Sequence, residues 1–356
     1  MAPSAQKTLI LDAKLGNFSV DSAPVAKPDS GEILIKVKSA ALNPVDWKVQ
    51  KWYGYKVENF PAILGTDIAG DVEEIGEGVI EFQKGDRVWV ISKPTINTYR
   101  PVDNNLFSWR VTQGQFKNDY GGFQQYALAI ASTVANVDYV PLFSWRNAHT
   151  SVRFLPTFRM MKQASTLPVA LTAPYIGFYN RNPDGLGLVP PISAEGKGKY
   201  AGNPIFILGG SSSVGQNGKL EISFIKSEFT LSINRSAIQL AKLSGFSPII
   251  TTASLKHAKF LKSIGATQVI DRNIFASTLV TAISGMTQNV PIKYAVDSIS
   301  LPDTQQTAYD LLSRGGKLVI FLPLAAKTTK EKDIVHVAGF LRSPTQHWVA
   351  RNILSR

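Results

Sequence analysis

From residue 200 onward the chain repeats one pattern, a short uninterrupted apolar run followed by a helical stretch. The runs are Pro204 to Leu208 (PIFIL), Pro248 to Thr252 (PIITT), Gln268 to Asp271, Lys293 to Asp297 and Lys317 to Leu322 (KLVIFL). Between them, Ser236 to Leu243, Leu255 to Ile264 and Asp303 to Leu312 carry helical spacing. Apolar strands without alternation are buried on both faces, and helices between them make the connections of a parallel sheet. Ahead of this the pattern differs. In Gly31 to Lys38 (GEILIKVK) the period of two sets Ile33, Ile35 and Val37 against Lys36 and Lys38, as in a half-exposed strand. Asp71 to Ile91 is a second β region, punctuated by Gly76, Gly78 and the Gly85-Asp86 turn. The expectation is α/β: a β-rich first domain, then a doubly wound parallel sheet. The break falls near 165–175, on a helix beginning around Thr166-Leu167-Pro168.

The strand Ile205 to Leu208 runs directly into Gly209-Gly210-Ser211-Ser212-Ser213-Val214-Gly215. Small residues at such a strand end let backbone N–H groups approach a diphosphate, and a following helix N-terminus adds partial positive charge. An ordinary tight turn is the competing reading; the strands that follow favour a dinucleotide. The next strand ends Thr251-Thr252-Ala253-Ser254-Leu255-Lys256-His257, with no acid to bind a ribose 2′-hydroxyl. Ser254, Lys256 and His257 suit a 2′-phosphate instead, so the expected cofactor is NADPH. An exposed first helical turn is the plainer alternative for Lys256 and His257. The spacing is long, because Asn217 to Arg235 adds 19 residues between loop and strand. Without them Gln216 joins Ser236, and Ala237, Leu240 and Ala241 form one face of a single helix.

Composition removes several classes. The 356 residues are 44% apolar and 18% charged, enough for a packed core. There is no cysteine, and the four histidines are scattered without metal-ligand spacing, so no metal site is expected. The longest charge-free apolar stretch, Leu167 to Tyr179, holds Pro168 and Pro174 and is too short to span a membrane. Met1 to Phe18 lacks a secretory apolar region, and a cytoplasmic location is the expectation. The net charge of +12 raises nucleic acid as a partner. The excess is concentrated in 139–162 and 327–356, however, and reads as a solvated basic surface.

Taken together these features resemble the medium-chain dehydrogenase/reductase superfamily, in its zinc-free quinone-reductase and enoyl-reductase branch. The resemblance rests on Gly31 to Val37, Ala41-Leu42-Asn43-Pro44-Val45-Asp46, Pro61 to Gly70 (PAILGTDIAG) and Gly76-x-Gly78-Val79-x-x-Phe82-x-x-Gly85-Asp86-Arg87-Val88. Gly121 to Tyr126, Ala164 to Ala173 and the GGSSSVG loop complete it. It implies a GroES-like catalytic domain over 1–170, a Rossmann domain over 171–325, and a shortened C-terminal return segment over 326–356. NADPH would lie in the cleft between the two domains. Zinc members of the superfamily carry Cys near Asn43 and Gly-His-Glu near Gly65-Thr66-Asp67; both are absent here. The resemblance implies hydride delivery to an activated C=C (an enone or enoyl thioester) or to a quinone, by a monomer or homodimer. It further implies that Asn43, Pro44, Asp46 and Thr172 line the nicotinamide end beside the Phe321-Leu322-Pro323 backbone, with Tyr53 the candidate proton donor.

Against the family pattern, chain is added near 94–114, 139–160 and 217–235, and the return segment stops at Arg356. These additions have the look of translated non-coding sequence. Two other readings therefore stand beside the reductase: a catalytically silent relative or non-functional product, and an RNA-binding role for the basic segments.

Overall fold

In the computed structural model, residues 1–53, 57, 59–91, 117–137, 161–162, 164–191, 195–210, 233–329 and 331–337 are described. The additions near 94–114 and 139–160, and the loop from Ser211 to Gly215, lie outside them. Contacts divide the chain between Val169 and Ala170.

The first unit is antiparallel. Strands β3 (Glu32–Ala41), β5 (Asp67–Ile75), β6 (Arg87–Ile91), β7 (Tyr126–Ile130) and β8 (Val134–Asn136) form a five-stranded sheet in the order β7-β3-β5-β6-β8. A smaller sheet pairs β2 (Phe18–Pro24), β1 (Ala5–Leu11) and β4 (Ala62–Ile63). Inward residues Ile33, Ile35, Ile68, Val72, Val88 and Val90 make one core, and Leu11, Val49, Ala62 and Leu64 another. The alternation expected over 31–38 holds only from Ile35 onward. Glu32 and Leu34, on the outward face, are also buried, under Tyr120 and Leu128. A two-residue period records one solvated face, and it fails where a loop covers that face. Helix α1 (Pro44–Lys48) follows β3, starts with Pro44 in its first turn, and runs into a π-helical turn, Val49–Tyr53.

The second unit is the parallel sheet. Its strands are β9 (Ile205–Leu208), β10 (Ile249–Ala253), β11 (Gln268–Asp271), β12 (Tyr294–Asp297), β13 (Lys317–Ile320) and β14 (Asp333–His336). All five pairings are parallel, in the order β11-β10-β9-β12-β13-β14. With β9 counted first this reads 3-2-1-4-5-6, the order of the doubly wound dinucleotide-binding sheet, whose direction reverses between β9 and β12. The helices are α2 (Pro168–Tyr179), α3 (Ile233–Ser244), α4 (Ala258–Ile264), α5 (Ala276–Met286) and α6 (Pro302–Leu311). On one face Leu279 and Ile283 of α5 and Ala308 and Tyr309 of α6 pack on Phe206, Ala295 and Leu318. Burying a side chain such as Phe206, wholly inaccessible here, stabilises the unit by roughly 1.5–3 kcal/mol.

Two boundaries differ from expectation. Helix α3 begins at Ile233, inside the segment read as an addition ending at Arg235. Ile233 to Arg235 simply extend the helix whose Ala237, Leu240 and Ala241 are buried. Strand β14 adds Asp333–His336 to this sheet, beyond the boundary expected at 325 and inside the segment read as a return to the first domain. Of its four residues only Val335 is buried, so it lacks the apolar run that marks the central strands.

Candidate functional site

In a parallel sheet of this order, ligands meet the carboxyl ends of the strands at the reversal point. The chain gathers its small and polar residues there. Strand β9 ends in Gly209 and Gly210, and Gly209 has φ +80°, a conformation costly for any residue with a Cβ. The Gly209 N–H donates to Thr252 Oγ1 (3.1 Å) and the Gly210 N–H to the Thr252 carbonyl (2.8 Å). A Cβ at Gly210 would strike the Thr251 side chain. Gly210 thus serves by having no side chain, and its amide, expected to face a phosphate, is already bonded to β10. The remaining expected phosphate contacts, Ser211, Ser212, Ser213, Val214 and Gly215, lie outside the described residues.

Beyond β10, Ser254 precedes a 3-10 turn, Leu255–His257, and its carbonyl accepts the His257 N–H at 2.9 Å. Lys256 is exposed and His257 half-buried. The His257 imidazole is held below its ordinary pKa by burial first, then by the positive fields of Lys256, Arg235 and Arg272. Arg235 lies in the first turn of α3 with its guanidinium 4.8 Å from the centre of the Phe260 ring. Arg272 follows β11, and its N–H donates to the Ala253 carbonyl (3.0 Å). Three cationic side chains, Lys256, Arg235 and Arg272, therefore converge around His257 at the end of the second strand. The acid on the neighbouring strand, Asp271, is turned to the Asn273 N–H at 2.9 Å.

The ends of β12 and β13 are joined by a buried polar network. Asp297 is fully buried; Oδ1 accepts the N–H of Ile299 (3.0 Å) and Ser300 (2.9 Å), and Oδ2 accepts the Thr304 hydroxyl at 2.7 Å. Ser300, at φ +55°, accepts the Phe321 N–H on its hydroxyl (2.9 Å). Gln305, also fully buried, donates to the Ser300 and Pro323 carbonyls (3.0 Å each) and accepts the Ala325 N–H at 2.8 Å. Phe321-Leu322-Pro323 is thereby held from α6. Gly210, Ser254, Lys256, His257, Leu322 and Pro323 all sit along this one edge of the sheet, and Thr172 is half-buried on α2.

In the first unit Asn43 caps α1. Its N–H donates to Asp46 Oδ2 (2.7 Å) and its side-chain amide to Thr66 Oγ1 (3.0 Å). Pro44 begins the helix, and Asp46 is buried beneath it. Beside Thr66 lies Asp67, 1% exposed, with Oδ2 accepting the Val169 N–H (3.1 Å) at the start of α2. Burial is the main cause that raises the Asp67 carboxyl to about 7, and the Asp46 charge adds to it; Asn43, the Val169 amide and Thr66 pull it back. Tyr53 ends the π-helical turn; its side chain lies outside the described residues. Among the described residues no cluster of three or more His, Cys, Asp or Glu is placed to hold a metal. No helix among them is long and apolar enough to cross a membrane.

Two family models match this chain. The alcohol dehydrogenase GroES-like domain covers residues 29–139, and the zinc-binding dehydrogenase family covers 234–340. The quinone oxidoreductase from Coxiella burnetii shares the fold with a TM-score of 0.63 at 21% identity, over 98% of this chain and 88% of that one. The chain belongs to the medium-chain dehydrogenase/reductase superfamily. Another structural neighbour in this superfamily fold is a mycobacterial protein complexed with NADPH, with TM-score 0.63 and 17% identity over 98% of this chain and 87% of that one. Among curated relatives, the trans-enoyl reductase himH of Aspergillus japonicus is 33% identical over 82% of this chain and 66% of its own length. The chain spans between 58% and 66% of the length of the first three curated relatives it matches.

Sequence reasoning passed over three side chains, Arg272 and Arg235 in the second unit and Asp67 in the first. Arg272, one residue beyond a strand end, was readable from position alone. Arg235 was hidden by its place in the supposed addition. Asp67 stood within a family motif, but nothing in the motif says that it is buried beside Asn43.

Proposed function

We propose that this protein is an NADPH-dependent, zinc-independent reductase of an activated C=C, in an enone or enoyl thioester, or of a quinone. The observation that carries the reading is the convergence of Lys256, His257, Arg235 and Arg272 at the end of the second strand of a 3-2-1-4-5-6 sheet. This donor set fits a phosphoryl group on the adenosine ribose, since charge-assisted hydrogen bonds from such cations are about twice as strong as neutral ones. The trans-enoyl reductase relative and the NADPH-bound neighbour support the same class.

Each part of the chain has a separate task. Arg272 and Lys256 bind the 2′-phosphate, and Phe260 orients Arg235 toward it. Gln305 and Ser300 fix the Phe321–Pro323 backbone, giving the nicotinamide a rigid wall. Asn43, Pro44, Asp46 and, on α2, Thr172 are the residues that the family resemblance assigns to the nicotinamide end. When bound, NADPH supplies the hydride. Zinc independence is supported by the Asn43–Thr66 pair, an amide and a hydroxyl engaged with each other at 3.0 Å where zinc members of the superfamily place metal ligands. Tyr53 remains the candidate hydrogen-bond donor to the developing enolate oxygen. The active species is a monomer or homodimer.

Binding of NADPH and NADH, followed by the quenching or enhancement of nicotinamide fluorescence, tests this. Wild-type protein is expected to prefer NADPH by at least about tenfold, as one charge-assisted contact implies. Arg272→Ala and Lys256→Ala should each weaken NADPH by roughly tenfold and leave NADH unchanged. Equal affinity for the two cofactors in wild-type protein would refute the assignment.

A further inference from the structure

Asp67, buried beside the Asn43–Thr66 pair, is held unevenly on its two oxygens. Its Oδ2 is satisfied by the Val169 N–H, while Oδ1, equally buried, makes no hydrogen bond. An ionised carboxylate out of water with one bare oxygen carries a large desolvation cost, which a proton on that oxygen removes. The surroundings favour the proton too. On the flanking strands, Lys36 of β3 and Arg87 of β6 lie level with Asp71, four residues along β5 from Asp67. Lys38 is paired with Asp71 at 3.3 Å. Glu32 is at the far end of β3, with Tyr120 as its partner, and Glu73 and Glu74 lie toward the other end of β5. The first turn of α2 carries no charge. On α1, Lys48 ends the helix, and buried Asp46 is the charge that acts on Asp67, with the sign that holds a proton in place.

Two half-buried polar side chains lie beside it. Asn43 and Thr66 are bonded to each other at 3.0 Å. Both act on the Asp67 carboxyl as hydrogen-bonding side chains that favour its ionised form, although no donor closes on Oδ1 itself.

We infer that Asp67 is a proton store, a buried carboxylic acid that releases its proton through the Thr66 hydroxyl toward the reacting end of the first unit. The consumer of that proton rests on the reductase reading; the store itself does not. The Asp67 O–H bond breaks as Thr66 Oγ1 takes the proton, and Thr66 passes its own proton outward. There the α-carbon of the substrate accepts it. The electron pair freed when hydride adds at the β-carbon forms the new C–H bond. Asp67 is left as a carboxylate and regains a proton from water along the same route. It is a positioning and supply residue, acting through Thr66.

Infrared spectroscopy of the whole protein across a pH titration, without cofactor or substrate, reads the store directly. The wild type should show a protonated-carboxyl C=O band that persists to about pH 7, well above the ordinary aspartate range, and is missing in Asp67→Asn. Asp67→Glu should move the midpoint of that band, which serves if the Asn variant does not fold. Thr66→Val should keep the band, slow its exchange in heavy water by at least tenfold, and lower kcat for an enone about tenfold with KM for NADPH unchanged. Loss of every carboxyl band by about pH 5 in the wild type overturns the store. Wild-type exchange in Thr66→Val overturns the path. A wild type that reduces no enone or quinone defeats the proposed function, while the infrared titration still decides the store.

Discussion

Among the described residues, each unit holds one aspartate at 1% exposure or less, and the two are equipped differently. Asp297, at the end of β12, receives two backbone N–H groups and a threonine hydroxyl. Asp67, at the start of β5, receives one backbone N–H and has a bare oxygen. In both, burial pushes the carboxyl upward and hydrogen bonds oppose it. The contrast separates two uses of a buried acid. Where the donors come from the local turn, as at Asp297, the carboxylate is part of the architecture and organises the turn. Where donors are missing, the acid is left able to change its protonation state.

The contrast breaks most sharply at Asp297. Asp297→Ala strands the Ile299 and Ser300 amides and the Thr304 hydroxyl in the interior, at about 1–3 kcal/mol each, so a loss on the order of 5 kcal/mol is expected. Urea denaturation measures it. A loss under about 1 kcal/mol would mean that the turn organises itself without the acid, and the architectural role would fall.

At Asp67 the expected effect is slightly smaller and depends on pH. Its folded value of about 7 lies above the 3.8 of an unperturbed aspartate, so the folded protein holds the proton more tightly than the unfolded chain does. The associated stability is complete below about pH 4 and is lost as pH rises toward 7, by about 4 kcal/mol at most. Melting curves between those values should slope downward in the wild type and flatten in Asp67→Asn. Parallel slopes in the two proteins would show that another group titrates.

The same two residues show what was readable in the sequence. The parallel sheet and its edge were legible because PIFIL, PIITT and KLVIFL are each a whole buried strand, and strand ends follow directly from strands. Ser254, Lys256 and His257 could be placed at one edge from the sequence, since a local motif positions them. The Asp67 cluster could not. Its members, Asn43, Thr66, Asp67 and Val169, are brought together by the pairing of Ala41 with Asp67 across β3 and β5 and by the start of a helix a hundred residues on. No periodicity reports a missing hydrogen-bond partner. Strand β14 escaped for a related reason: at the sheet edge only one of its residues needs to be apolar.

The finest test converts one aspartate part-way into the other. Thr304→Val removes the hydroxyl that donates to Asp297 and keeps the side-chain shape, which brings Asp297 closer to the condition of Asp67. Thr304 Oγ1 also accepts the Leu301 N–H (3.0 Å) at the start of α6, so part of the loss is a helix cap worth about 1 kcal/mol at any pH. The remainder follows the acid. Losing a donor raises the carboxyl further, so the ionised form suffers and the protonated form does not. The variant should therefore be destabilised by about 1 kcal/mol at acid pH and about 2 kcal/mol at alkaline pH. Thr304→Ser, which restores both hydrogen bonds, should recover most of each. A loss of equal size at both pH values would assign the whole effect to the cap, and the number of donors would no longer explain why the two acids differ.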